Sequence, residues 1–145
     1  MRTTTKGLYA LKAMVALAGG SSKDQPLALH KLAGDEGIST EFLQQIFYRL
    51  RKAGLISACR GPGGGFYLAR EPADISILDV LEAAGESFVI APCSEQCTGT
   101  RQACADCHGC EAGGFWATLE ADMRRCAQSR SLADLVNRKD QAGIS

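Results

Sequence analysis

The chain has 145 residues, 46% of them hydrophobic and 22% charged, with a formal net charge of zero. The apolar fraction excludes a disordered chain, and no stretch reaches the roughly 18 consecutive apolar residues of a membrane span. The zero hides an asymmetry: residues 1–70 carry ten Lys/Arg against four Asp/Glu (+6), and residues 71–145 carry six against twelve (−6), so a polyanionic partner is expected for the first half alone.

Leu8, Leu11, Val15 and Ala18 recur at i, i+3, i+7 and i+10, with Met14 and Leu17 beside them, which predicts one face of an amphipathic helix ending at Gly19-Gly20. Lys12 interrupts this apolar stretch, so it reads as a helix and not as a secretory leader, and a cytoplasmic location is expected. After a polar connection from Ser21 to Pro26, Leu29, Leu32 and Ala33 mark a short helix over about 28–36, stopped by Gly37. Ser39 is the expected N-cap of a third helix, with Glu41 in its first turn. Leu43, Ile46, Phe47 and Leu50 form its inward stripe. Thr40, Glu41, Gln44, Gln45, Tyr48 and Arg49 lie opposite, and Gly54 ends it.

Leu55–Arg60 and Phe66–Arg70 are short strand candidates around Gly61-Pro62-Gly63-Gly64-Gly65, which is turn chemistry and cannot be helix. Ser76 with Asp79 resembles a capping box for a fourth helix carrying Ile77, Val80, Leu81 and Ala84, ended by Gly85. Residues 91–114 are rich in Cys, Gly and Thr without apolar period and read as a loop. Trp116, Leu119, Met123 and Cys126 then repeat as a helix seam. Ser131 with Asp134 caps a last short helix through Val136, followed by a frayed tail from Lys139.

The order helix, helix, turn, helix, hairpin is that of a winged helix-turn-helix. Its second element pair would set the third helix in a major groove. There Ser39, Thr40, Gln44 and Gln45 offer donors and acceptors to base edges. Arg49, Arg51 and Lys52 follow where phosphates flank the helix. Arg60 and Gly61 open the wing, where an arginine can enter a minor groove and glycine lets backbone approach the sugar-phosphate surface.

Five of the seven cysteines lie between 93 and 110: Cys93, Cys97, Cys104, Cys107 and Cys110. An odd count in a chain expected to lack a leader argues against a disulfide scaffold. Clustered thiolates repel unless a metal neutralises them, and soft sulfur selects iron–sulfur clusters, zinc or copper(I). Cys59 and Cys126 read as packing residues, and His30 as structural or solvated. An enzymatic reading of Cys104-x-x-Cys107 lacks the βαβ context that a thiol oxidoreductase needs.

Three segments carry a family resemblance: Met1-Arg2-Thr3-Thr4-Thr5-Lys6-Gly7-Leu8-Tyr9-Ala10, Phe47-Tyr48-Arg49-Leu50-Arg51-Lys52-Ala53-Gly54-Leu55 and Arg60-Gly61-Pro62-Gly63-Gly64-Gly65-Phe66. With them the chain resembles the IscR-type regulators, which include NsrR, RirA and CymR, over nearly its whole length. The resemblance implies a mainly α fold with a small β-hairpin wing and a long C-terminal dimerisation helix. The expected division is a winged helix-turn-helix over 1–90, a cluster-binding loop over 91–114, and the dimerisation helix with its tail over 115–145. It also implies a homodimer on a pseudo-palindromic double-stranded operator, its recognition helices roughly 34–36 Å apart.

The same resemblance implies Cys93, Cys104 and Cys110 as ligands of an iron–sulfur cluster, with Cys97 and Cys107 extra and Cys97 able to stand in for Cys93. Two family positions for a fourth ligand hold Gly113 and Leu8 here, neither able to ligate, so Cys97, Cys107 or His108 is left for that place, and [2Fe–2S] and [4Fe–4S] both stay open. The implied function is transcription regulation gated by redox state, nitric oxide or iron supply. A cluster-free or zinc-binding regulator, controlled by a protein partner or by thiol oxidation as CymR-like relatives suggest, is the alternative.

Overall fold

A computed structural model describes residues 3–91 and 110–142 of the chain, with side chains through 138. Helix α1 (Thr5–Gly20) starts at Thr4, whose hydroxyl accepts from the Gly7 N–H at 3.3 Å. Its core face is Ala10, Ala13, Met14 and Leu17, not the expected Leu8–Leu11–Val15–Ala18 stripe. Leu8 is 55% exposed, and the other three are half-buried. The helix is apolar on two faces, and the small Ala10 and Ala13 let its neighbours approach closely, so the core takes that side. Leu8, Leu11 and Val15 of that stripe, with Ala16, line an open groove of about 570 Å³ completed by Leu81 and Leu135.

Helices α2 (Leu29–Glu36) and α3 (Thr40–Lys52) are joined by Gly37, which is left-handed at φ 66°, and Ile38. The Ser39 hydroxyl caps α3 by accepting from the Phe42 N–H at 3.1 Å, and Leu43, Ile46, Phe47 and Leu50 are buried as the period predicts. The wing follows as strands β1 (Ile56–Cys59) and β2 (Gly65–Leu68), antiparallel, with Ile56 opposite Leu68 and Cys59 opposite Gly65.

Sequence period missed a third partner of the wing. Leu27, in the connection before α2, exchanges both backbone hydrogen bonds with Phe66, at 2.9 and 2.8 Å. A Cβ at Gly65 would fall onto the Leu27 carbonyl. That obstacle is backbone and cannot swing aside. Gly65→Ala is therefore expected to destabilise the protein by about 1–3 kcal/mol, as overpacking does. Urea unfolding checks this; a midpoint unchanged at constant m would show that the connection yields.

Helix α4 (Ile77–Ala83) carries the expected capping box: the Asp79 N–H donates to the Ser76 hydroxyl and the Ser76 N–H to the Asp79 carboxylate, each at 3.0 Å. Helix α5 (Glu111–Gln128) starts four residues before the expected Phe115, because Cys110 caps it: its Sγ accepts from the Gly113 N–H at 3.4 Å. Helix α6 (Leu132–Ala142) runs beyond the expected Val136. Its N-terminus pairs with that of α4 through a Ser76–Ser131 bridge, and Leu132 is fully buried in the same core as Met14 and Val80. Two hydrogen bonds, Ile77 N–H to Arg130 O at 2.9 Å and Leu132 N–H to Ile75 O at 3.0 Å, fasten this staple. The Ser131 backbone N–H, then its hydroxyl, holds the exposed Asp134 carboxyl below the usual carboxylate range.

Candidate nucleic-acid interface

Burial of one stripe of α3 turns the opposite one outward. Ser39, Thr40, Glu41, Gln44, Gln45, Tyr48 and Arg49 are all exposed, and Tyr48 is 68% accessible. Ser39 spends its acceptor on the Phe42 N–H, which leaves its O–H free to donate. Phe47 of α3 meets Phe66 of β2 edge to face at 4.8 Å between centroids, and this contact sets the wing against α3. Arg60, Gly61, Pro62 and Gly63 form the exposed wing tip. Arg51 and Lys52 are exposed at the last turn of α3. The structure thus brings Ser39, Thr40, Gln44 and Gln45 onto one helix surface, with the basic residues at its far end.

Arg49 is exposed, but its Nη1 also donates to the Ala84 carbonyl at the end of α4, at 3.3 Å. The helical wheel gives no sign of that tie. Sequence reasoning also missed Glu86, which is 93% buried (7% exposed) and accepts from the Thr4 N–H at 2.8 Å and from the Thr4 hydroxyl. A lone carboxylate after a helix gives no local signal that it will close the N-terminus of another helix 82 residues away.

Of the candidate metal ligands, only Cys110 belongs to the described residues; Cys93, Cys97, Cys104, Cys107 and His108 lie outside them. Cys110 is exposed and takes the N-cap position of α5. Its Sγ is thus solvent-accessible at a helix N-terminus, where a metal that binds sulfur can reach it. Gly113 itself is buried. Cys59 is half-buried in β1 and its thiol donates to the Lys23 carbonyl at 3.6 Å. Cys126, expected as a packing residue, is exposed on α5, and His30 is exposed on α2. Along α5 only Gly113 is buried. Trp116, Leu119 and Met123 are half-buried, and Phe115 is 59% exposed. Among the described residues, no helix is long and apolar enough to cross a membrane.

Comparison with known proteins places the architecture. The IscR regulator of Photorhabdus laumondii is 36% identical over 145 residues, covering 100% of this chain and 85% of that protein. The solved structure of CymR, the global cysteine regulator of B. subtilis, superposes with a TM-score of 0.78 at 25% identity, covering 95% of this chain and 98% of that one. T. potens IscR gives a TM-score of 0.76 at 28% identity, covering 100% and 93%. Relatives and neighbours are regulators and not enzymes. The profile of the Rrf2 family of iron-dependent transcriptional regulators matches residues 3–138, and the chain belongs to that family as a winged-helix, DNA-binding transcription regulator of the IscR kind.

Proposed function

We propose that this regulator is a cytoplasmic homodimer that senses redox state, nitric oxide or iron supply through an iron–sulfur cluster held by Cys93, Cys104 and Cys110, with Cys97, Cys107 or His108 completing the set. Ser39, Thr40, Gln44 and Gln45 read base edges, while Arg49, Arg60 and Gly61 meet the backbone and minor groove. The observation that carries the reading is Cys110: one residue is both a thiol within the cysteine-rich segment and the cap of α5. A bound cluster would supply iron that is oxidised or lost under those signals. Cys110 then reports on its own sulfur. A sulfur committed to metal holds the first turn of α5, and a protonated thiol is a weaker acceptor for the Gly113 N–H.

Support for a second copy comes from two unfilled apolar surfaces: the α1 groove of Leu8, Leu11 and Val15, and the outer side of α5 around Phe115. A two-fold axis would let each fill its counterpart.

Anaerobic purification followed by absorption spectra and iron and sulfide analysis tests the sensor. The expected result is a coloured protein holding iron and acid-labile sulfide. The variant Cys93→Ser/Cys104→Ser/Cys110→Ser should be colourless and should have lost the difference in operator affinity between reduced and oxidant-treated samples. A colourless wild-type protein carrying one zinc per chain would end the cluster reading. The second reading, which rests on the family resemblance, is a cluster-free or zinc-binding regulator controlled by a protein partner or by thiol oxidation. Wild-type regulation retained by the triple variant would select it.

A further inference from the structure

The turn over 82–88 ties three helices together. On one side, Glu82 pairs with Arg124 of α5, whose guanidinium also lies 5.6 Å from the centroid of the buried Phe88 ring. In the middle, the Ala84 carbonyl accepts from Arg49 of α3. Next to it, Glu86 closes the N-terminus of α1. The Glu82–Arg124 pair is exposed, with side chains 43% and 48% accessible, and as an isolated ion pair it would contribute little. The ring of Phe88 gives Arg124 a second, buried anchor, so α5 is clamped to this turn at two points.

Gly85, with φ at 90°, forms the bend, and a Cβ there would land on the Arg49 guanidinium. The turn is therefore shaped to receive that side chain. An arginine presents five donors in a rigid fork. With Nη1 given to Ala84, the remaining donors of the exposed Arg49 are held in a set direction on the DNA-facing side of α3.

Resting on the reading of α3 as the DNA-facing helix, we propose that Arg49 is a phosphate contact aimed by the 82–88 turn, and that Arg124 is the positioning residue through which α5 holds that turn. Arg49 and Arg124 share no contact, yet they act as one device. A shift of α5 along or away from α4 drags Glu82 and Phe88, displaces the Ala84 carbonyl and frees the guanidinium. A freed side chain must recover its rotamer order on meeting DNA, so the same phosphate contact is weaker.

A double-mutant cycle tests this, using a duplex selected from a random-sequence pool by the wild-type protein. Arg49→Gln should weaken binding about tenfold and reduce the slope of log affinity against log salt by about 1. Arg124→Ala, remote from the DNA, should weaken binding several-fold with intact far-UV circular dichroism. In the Arg124→Ala background, Arg49→Gln should then cost no more than about threefold, because contacts that act together are not additive. Lys52→Gln, an exposed charge on the same helix, should remain additive with Arg124→Ala. Gly85→Ala should reproduce the salt-slope loss of Arg49→Gln, and the two combined should add nothing further. Additive losses for Arg49→Gln and Arg124→Ala would overturn the proposal while leaving α3 as the reader. A wild-type protein that selects no duplex would overturn the DNA-facing assignment itself.

Discussion

Phe47→Ala is expected to lower the thermal unfolding midpoint by about 10 °C and to leave the wing unable to hold its place beside α3. Phe47 is 1% exposed and belongs to the largest fully buried side chains of the core. Truncating such a ring costs about 3–5 kcal/mol, counting lost transfer free energy and the cavity left behind. Domains of this size have only about 5–15 kcal/mol in hand, and each kcal/mol moves the midpoint by about 2–4 °C. The site cannot easily collapse, because Phe66 meets Phe47 edge-on at 4.8 Å and is itself pinned by two hydrogen bonds to Leu27. Tyr48 is the control: it is the next residue along the chain and 68% exposed. Tyr48→Ala should stay within about 0.5 kcal/mol of wild type. Circular dichroism melts at one fixed protein concentration decide the matter, since association shifts apparent stability. A fall of less than about 3 °C for Phe47→Ala would show that this ring does not join α3 to the wing.

Gln44→Ala/Gln45→Ala is expected to erase most sequence discrimination while sparing non-specific binding. A bidentate contact to a base edge is worth about 1–3 kcal/mol of discrimination, so losing two such groups should cost at least about tenfold on the selected duplex. Neither glutamine carries charge, so affinity for random duplex at low salt should change less than about twofold. Arg60→Ala gives the opposite pattern: weakening on every duplex alike, with a salt slope reduced by about 1. Titrations on selected and scrambled duplexes at two or more salt concentrations separate the two. Equal losses on both duplexes for the glutamine pair would place base reading elsewhere on the protein.

The second helix pair shows how far local rules reach. The Ser39 cap, the Leu43–Ile46–Phe47–Leu50 stripe and the outward polar face of α3 follow from period and capping chemistry, which involve residues at most a few positions apart. The Ser76–Asp79 capping box and the glycine-rich wing are legible for the same reason. Helix α1 is the counter-example. Its sequence offers apolar residues on two faces, and period alone favoured the Leu8 stripe that the structure leaves open. Helix α5 began early because a thiol can cap a helix, a role that serine, threonine and aspartate usually fill. For the ligand set, the five cysteines between 93 and 110 are legible in sequence as a cluster of thiols; of them the structure describes Cys110, and Cys93, Cys97, Cys104 and Cys107 lie outside the described residues.

By itself the amino-acid order determined a winged helix-turn-helix, the face of α3 that turns outward, and a basic first half joined to a cysteine-rich second half. Those follow from interactions between near neighbours and from summed charge, which need no knowledge of the fold. Tertiary structure alone decided which side of α1 is core, how Leu132 locks α6 beneath α4, and how Leu27 joins the wing. It alone brought Arg49, Glu86 and Arg124 to one turn. These are pairings between residues tens of positions apart, chosen by which surfaces fit and which buried polar atoms find partners once every helix is in place.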